Sequence, residues 1–568
     1  MMKHATDTAK LREELKELKL ALEEERLPLE PVWRDIRLFI EPNLGKALID
    51  ARRADLAAQR DDEKIINSEP RLLLQRLSAG LQSGITNPAR QWFRLASGDP
   101  KIGQLQQVRA WLDYATECLH EQFQKSNVYT SLNSLYMHLG LFGTACALLT
   151  DNGGSPFLNV FDEGAYWIEE NLHGVVDVCM FKVDMRPDQI VREFGEEWVP
   201  EKQRTGKAAK TVWCMVFPRE RLDVEIAAND VAADMPFVGV YFLEKDDEDS
   251  HGILAIRGHR MNPIIAPRWQ AGVNAYGVGC GYTALADCKE LQSMETDRLR
   301  AVKTIVDPPL LVPSSMKGVK VRTHPGGITY YDDISSSGKA PVSPLFNMPF
   351  DVSRIDQTIT LVASRIQRLF YADLFAMLMG IAPQKAQMTA TEVNELSNEK
   401  VSLLGPVLTR LNTDLLDPLV NGVWTITMGG DGLEAFPGLA SPPLAVADAG
   451  MKVEYISSLH MEQQSVARLQ AINALVTAVA PIAQFSPEAV DKIDTDRAID
   501  VVSESLFEHG IVRDEKQVAE IRRNRAEMQR QQMEMQNAMA AGKAMRDTAA
   551  AVKDATVDAS GGPREGGM

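Results

Sequence analysis

The chain has 568 residues, 45% apolar and 24% charged, the balance of a globular protein long enough for several domains. Its net charge of −17, from 61 basic and 78 acidic residues, argues against a protein that grips nucleic acid by neutralising phosphates. No run of about 18 apolar residues occurs and the first ten residues are polar, so neither a membrane span nor a signal peptide is expected, and assembly in the cytoplasm is.

Leu11, Leu15, Leu18 and Leu22, spaced 4, 3 and 4, predict an opening helix that Pro28 and Pro31 terminate. A second amphipathic segment follows with Trp33, Ile36 and Ile40 on one face, then a helix over 68–81 and a loop at Thr86-Asn87-Pro88. Helical periodicity runs over 106–149 with an interruption near Ser126-Asn127. From about 145 to 260 the pattern changes to short runs of β-branched and aromatic residues between turn residues: 157–161, 175–183, 212–217 and 237–243, with a short helix over 188–194. The expected class is α+β, mostly helical, with antiparallel strands.

A helix is predicted over 284–304, stopped by Asp307-Pro308-Pro309, and another over 351–379. On the second, Val352, Ile355, Ile359, Val362, Ile366 and Leu369 alternate spacings of 3 and 4, a seam suited to one partner helix. Between them lies a Pro-, Gly- and Ser-rich excursion with strand-like runs at 319–321 and 328–331, so the whole has the shape of a two-helix stalk carrying a small head. A loop over 380–388 leads into Thr389-Ala-Thr-Glu392, a capping box for a long helix to about 428, which Gly405-Pro406 should kink. A Gly/Pro-rich linker over 429–450, a helical region over 461–556 and a disordered tail complete the chain. No internal repeat stands out, and only the Met- and Gln-rich stretch 526–545 approaches low complexity.

Chemistry is sparse. Gly277-Val-Gly279-Cys-Gly281 precedes a helix but does not fit G-x-G-x-x-G and has no following Lys-Ser/Thr, so it reads as a turn entering a helix. Thr205-Gly206-Lys207-Ala208 lacks the glycine and the hydroxyl of a phosphate loop. The runs Asp61-Asp62-Glu63 and 246–249 read as solvated loops rather than a two-metal site. Six scattered cysteines without C-x-x-C spacing read as buried thiols, and no metal or cofactor is expected. Arg522-Arg523-Asn524-Arg525 reads as a salt-bridged helix face, with contact to DNA or an internal protein as the alternative. The Met run over 528–545 reads as packing surface between copies.

Several segments in order are similar to a known family: Trp33-Arg-Asp-Ile-Arg-Leu-Phe-Ile-Glu-Pro42, Leu77-Ser-Ala-Gly-Leu-Gln-Ser-Gly-Ile-Thr-Asn-Pro88 with Gln91-Trp92-Phe93, Ser126-Asn127-Val-Tyr129, Leu141-Phe-Gly-Thr-Ala145, Pro267-Arg-Trp269, Tyr276-Gly277, the 284 helix running into Pro308-Pro309-Leu, and Met388-Thr-Ala-Thr-Glu392 with Glu399 and Leu404-Gly-Pro406. Together, over about residues 30–430, they resemble the head-to-tail connector (portal) family of short-tailed phages. Gly279-Cys280-Gly281 departs from the more polar or Pro-containing stretch expected there, and the chain beyond 450 does not align.

The resemblance implies a non-enzymatic subunit of a ring of about twelve copies at one capsid vertex. It implies a wing (1–283 with the long helix 390–428), stem helices 284–304 and 351–379, an α/β clip 305–350, a tunnel loop 380–389 and a helical crown or barrel over 461–556. Implied partners are double-stranded DNA in the channel, the major capsid protein, the terminase large subunit, a tail adaptor and scaffold or internal core proteins, in the virion. Gln384, Lys385, Gln387 and Met388 of the loop, with Arg365 and Arg368 of the stem, are the candidate channel residues. For Lys385, Arg365 and Arg368 an ordinary surface charge or an intersubunit salt bridge remains the alternative. Lys317, Lys320, Arg322, Tyr330 and Tyr331 are the candidate clip residues for motor and adaptor docking. A nucleic-acid-processing packaging enzyme and another helical capsid or tail scaffold remain as alternatives.

Overall fold

A computed structural model describes residues 8–49, 61–103, 105–196, 208–221, 235–244, 252–272, 274–306, 352–378, 404–427, 451–457 and 515–558, with short pieces at 199, 204, 310–311 and 343–344. The chain divides into two compact units, Met1–Gln463 and Gln464–Met568.

Helix α1 spans Thr8–Arg26 and buries Leu11, Leu15 and Leu22 as their spacing requires. Helix α2 (Glu30–Phe39) takes Pro31 in its first turn, where a missing N–H costs nothing, and buries Trp33 and Ile36. Helix α3 (Glu69–Ile85) runs a turn past the expected end at 81, because Ile85 continues the buried row Leu77, Leu81. Helices α4 (Gln106–Lys125) and α5 (Val128–Phe142) part at Ser126-Asn127. There the Asn127 side chain accepts from the Leu158 N–H and donates to the Leu158 carbonyl, both at 2.9 Å, and also donates to Ser131 Oγ at 3.0 Å, so it ties the start of α5 to a neighbouring strand. The helical reading of 106–149 is corrected at its end. α5 stops at Gly143, φ +95°, and residues 146–151 form a strand whose first four side chains are all buried. An apolar run buried on both faces has no period to tell helix from strand.

Among the described residues every strand pair is antiparallel, as expected. β1 (Phe93–Ser97) pairs with β10 (Met451–Tyr455), a long-range pair that the sequence did not suggest. β2 (Cys146–Asp151) lies between β3 (Pro156–Phe161) and the short β9 (Ile264–Ile265). A five-stranded meander follows chain order: β4 (Tyr166–Glu170), β5 (Val176–Met185), β6 (Lys210–Pro218), β7 (Phe237–Leu243) and β8 (Ile253–His259). α1 lies on one face of this sheet, where its leucines meet Trp167, Val178, Met180, Trp213 and Met215. Lys19 and Arg26 each sit 3.8 Å over an indole, Trp213 and Trp167. The other face turns Cys179, Phe181, Cys214 and Val216 to the main core, and α6 (Pro187–Phe194) covers one end with Ile190 and Phe194. All six cysteines are free and buried.

Helix α7 spans Cys280–Val306, starting a turn before the expected 284. The single helix expected over 351–379 is two: α8 (Val352–Leu369) and α9 (Ala372–Leu378), separated at Tyr371, whose φ is +53°. Apolar residues continue across the break, so periodicity hides it. Phe370, Leu374 and Phe375 are all buried, and the Phe375 ring lies so close to Gly80 of α3 that no side chain fits there. Residues 404–427 are helical, with a wide turn over Asn412–Leu416 before α10 (Asp417–Thr427). The expected kink at Gly405-Pro406 lies at the edge of the described residues. The inward leucines expected there, Leu411 and Leu415, are buried. In the second unit α11 runs from Glu515 to Asp558, two residues past the expected 556. The strand-like runs of the head, the capping box at 389–392 and the linker 429–450 lie outside the described residues.

Candidate functional site: the two-helix stalk and its glycine root

α7 and α8 pack side by side and bracket 45 residues, from 307 to 351. Leu310–Leu311 pair antiparallel with Ser343–Pro344, drawing the two ends of that excursion together just beyond α7. This is the two-helix stalk that the sequence pattern predicts.

The root of the stalk is where Gly277-Val-Gly279-Cys-Gly281 crosses the end of α5. Trp269 N donates to the Gly143 carbonyl at 2.8 Å, Val278 N to the Gln270 carbonyl at 3.0 Å, and Gly277 N to Thr144 Oγ1 at 2.6 Å. The two chain segments touch backbone to backbone. A Cβ on Gly279 would lie 2.6 Å from Gly143 N and 2.9 Å from the Gly140 carbonyl oxygen, and one on Gly281 would strike the Leu141 carbonyl. The glycines therefore exist for close approach, and the turn reading of this motif holds. Tyr276 anchors the same turn: its ring meets Trp33 edge-on at 5.3 Å and its hydroxyl accepts from Ile168 N at 3.1 Å.

Above the root, polar residues fasten α7 to the segment before α3 and to α2. Gln292 accepts from Ile66 N and Asn67 N and donates to the Asn67 carbonyl at 2.7 Å, while Asn67 donates to Glu295 at 2.8 Å. Lys289 pairs with Asp35 of α2 at 2.6 Å. The acidic run 61–63 is not merely solvated, which corrects its reading. Asp61 pairs with the buried Arg37 and with Lys64, and Arg71 joins Asp62 to Glu41. The Arg37 and Lys64 hydrogen bonds outweigh partial burial and hold the Asp61 carboxyl below its ordinary range.

Val362 and Ile366 of the α8 seam are buried, and Ile355 and Ile359 half-buried. Beyond Glu295 the same face of α7 continues as Leu299, Val302 and Val306, now exposed. Arg298 pairs with Glu295 at 2.8 Å and reaches Asp356 at 3.7 Å. Arg365 donates to Glu290 at 2.7 Å and forms an ion pair with Asp287 at 3.2 Å, so its charge is compensated by α7 of the same chain. Arg368 is exposed on the same helix. Exposed pairs of this kind contribute up to about 1 kcal/mol each. Gln384, Lys385, Gln387 and Met388, and Lys317, Lys320, Arg322, Tyr330 and Tyr331, lie outside the described residues.

One long-range tie went unseen in the sequence. Arg268, 5% exposed, donates to Asp414 at 3.3 Å, to Glu170, and to the Gly174 carbonyl at 2.5 Å. It joins the five-stranded sheet, the glycine root and the wide turn before α10. Burial pushes the Asp414 carboxyl up, against the pull of Arg268. Partners 98 and 146 residues away leave no local signal. Among the described residues no cluster of three or more His, Cys, Asp or Glu is placed to hold a metal ion, and no helix is long and apolar enough to cross a membrane.

The model of the family of bacteriophage head to tail connecting proteins matches residues 12–506. The chain belongs to that family. Curated relatives of this connector are portal proteins. That of Salmonella phage epsilon15 is 32% identical over 529 residues, covering 92% of this chain and 91% of the relative. The probable portal protein of Bordetella phage BPP-1 is 31% identical over 505 residues, 88% of each. Among solved structures, a chain from the neck of an empty gene transfer agent particle is 13% identical, with a TM-score of 0.31 over 71% of the connector and 84% of that chain. The connector is thus a structural protein of the phage head-to-tail junction, with a mixed and mostly helical fold.

Proposed function

We propose that copies of this connector close into a ring of about twelve subunits at one capsid vertex, through which double-stranded DNA is packaged and ejected. The observation that carries the reading is the stalk: two packed helices, rooted on a backbone crossing that cannot yield and bracketing a head of 45 residues. In this assignment residues 1–283 with 390–428 form the wing, helices 284–304 and 351–379 the stem, 305–350 the clip, 380–389 the tunnel loop and 461–556 the crown.

The apolar face of α7 beyond Glu295 is then the surface that a neighbouring stem covers. Lys385 with Gln384, Gln387 and Met388, and Arg368, would face the channel. Arg365, paired with Glu290 and Asp287, offers DNA less net charge. The acidic balance of −17 per copy suits a wall that must let the duplex slide, since many phosphate contacts would brake it. The clip, through Lys317, Lys320, Arg322, Tyr330 and Tyr331, would dock the terminase large subunit and later the tail adaptor. The wing would meet the major capsid protein and any scaffold or core protein. No catalysis and no cofactor are assigned, and assembly takes place in the host cytoplasm.

Native mass spectrometry of the purified chain tests this reading. The expected assembly weighs about 750 kDa, twelve times the 62.9 kDa chain. Assemblies no larger than a dimer at every salt and protein concentration would count against it.

A further inference from the structure

Asn-Gly occurs twice in the chain, at 152–153 and at 421–422. In this pairing the main-chain nitrogen after the asparagine can reach the side-chain carboxamide with no Cβ beside it. The fold places the two pairs in opposite settings.

Asn152-Gly153 forms the tip of the β2–β3 hairpin. Asp151, Asn152, Gly153 and Gly154 are all exposed, Gly153 stands at φ +67°, and a Cβ on it would meet nothing within 4 Å. The turn is fastened on either side of the bond between them: Asn152 N donates to the Ser155 carbonyl at 2.9 Å, and Gly154 N to Asp151 Oδ1 at 2.6 Å. The Gly153 N–H between these two bonds has no hydrogen-bond partner among the described residues. Below the tip the hairpin is anchored, because Cys146, Ala147, Leu148 and Leu149 of β2 and Leu158 of β3 are buried.

Asn421 is exposed as well, but it lies inside α10. There the Gly422 N–H is taken up by the carbonyl four residues back, and a Cβ on Gly422 would strike Leu149. Attack by this nitrogen requires α10 to unwind around the buried Leu419, Val420 and Val423.

We propose that Asn152 is a site of spontaneous deamidation and that the helix spares Asn421. The Gly153 nitrogen gives up its proton to hydroxide and attacks Asn152 Cγ. The tetrahedral adduct expels the side-chain nitrogen as ammonia, water supplying the proton, and a cyclic succinimide remains. Water then adds to one of its two carbonyls. Cleavage of the bond from nitrogen to Cγ leaves aspartate on the original main chain. Cleavage of the bond from nitrogen to the main-chain carbonyl carbon leaves isoaspartate, whose main chain runs through Cγ and is longer by a CH2. Either route consumes one water and releases one ammonia, with no oxidant and no cofactor. Each converted copy gains a negative charge beside Asp151. The altered linkage falls between the two hydrogen bonds of the turn, while the buried rungs below keep β2 and β3 in register, so a folded chain carries the change. The inference does not depend on the ring reading.

Peptide mapping by mass spectrometry tests it, on the full-length chain aged in native buffer made with oxygen-18 water. The expected product at 152 carries a solvent oxygen in place of the amide nitrogen and separates into isoaspartyl and aspartyl peptides. Conversion at 421 should be at least about a hundredfold slower, because α10 must open first. In guanidinium chloride the two sites should convert at similar rates, since only the fold distinguishes them. Gly153→Ala should slow conversion at 152, and Asn152→Ser should abolish it. Equal rates at 152 and 421 in the native chain, or conversion at 152 only in denaturant, would overturn the assignment. Asn152→Asp supplies the aspartyl product directly and should keep the parent's urea midpoint; a lowered midpoint would overturn the claim that the hairpin carries the change.

Discussion

Replacing Gly279 by alanine adds one methyl group where the chain enters α7 against the end of α5. That carbon would meet Gly143 N at 2.6 Å, Gly143 Cα at 2.8 Å and the Gly140 carbonyl oxygen at 2.9 Å. All three are main-chain atoms, so no rotamer change makes room, and either α5 or the root of the stalk must shift by several tenths of an ångström. Overpacking in a dense interior costs about 1–3 kcal/mol, and a backbone obstacle puts this site near the top of that range. Gly153→Ala is the control: φ is +67° but nothing lies within 4 Å, leaving only the left-handed strain of roughly 1 kcal/mol. The assay is urea denaturation followed by tryptophan emission, since Trp33 and Trp269 are buried beside the crossing. Gly279→Ala should lower the midpoint two to three times as far as Gly153→Ala, in proportion to about 3 against about 1 kcal/mol. Equal shifts, or a smaller one for Gly279→Ala, would refute the reasoning that contact rather than conformation requires this glycine.

Arg268→Met should cost about 3 kcal/mol, because it strands the carboxylates of Glu170 and Asp414. In denaturant titrations the double variant with Asp414→Asn should cost less than the sum of the two single changes. Glu163 is fully buried, accepts from the Tyr166 hydroxyl at 2.8 Å, and is pushed up to about 8, chiefly by burial. Between its ordinary value of 4.5 and about 8 the unfolded chain has lost this proton and the folded chain keeps it. This group therefore makes stability fall as pH rises through that window, on the order of 2 kcal/mol from pH 6 to 8. Glu163→Gln keeps an acceptor for Tyr166 and should flatten the slope in thermal melts across that range; an unchanged slope would assign it to other groups. Lys385→Ala is expected to assemble normally but alter DNA retention or packaging in particles, and unchanged packaging and retention would remove that residue from the mechanism.

Period and punctuation carried most of the helical framework. The leucines of α1, the prolines flanking α2, the seam of α8 and Asp307-Pro308-Pro309 after α7 are local signals, and the structure puts elements where they point. The strands read at 157–161, 212–217 and 237–243 were legible because turn residues bound them, whereas β2, apolar on both faces, extended the helix before it. The break at Tyr371 was hidden because Leu369, Phe370, Leu374 and Phe375 keep a helical rhythm while the backbone turns. What a single chain's pattern cannot encode is distance: β1 finds β10 more than 350 residues later, and Arg268 gathers partners from the meander and from 414. The glycine motif was read as a turn without its reason, since the segment it presses against, 140–143, lies far away in sequence.

The central claim is that this connector is a channel-forming ring, and electron microscopy of the purified chain tests it most directly. End-on class averages are expected to show closed rings of about twelve subunits around an open hole wide enough for a DNA duplex. Closed particles with no axial channel would contradict the account and return the packaging-enzyme and scaffold readings to first place.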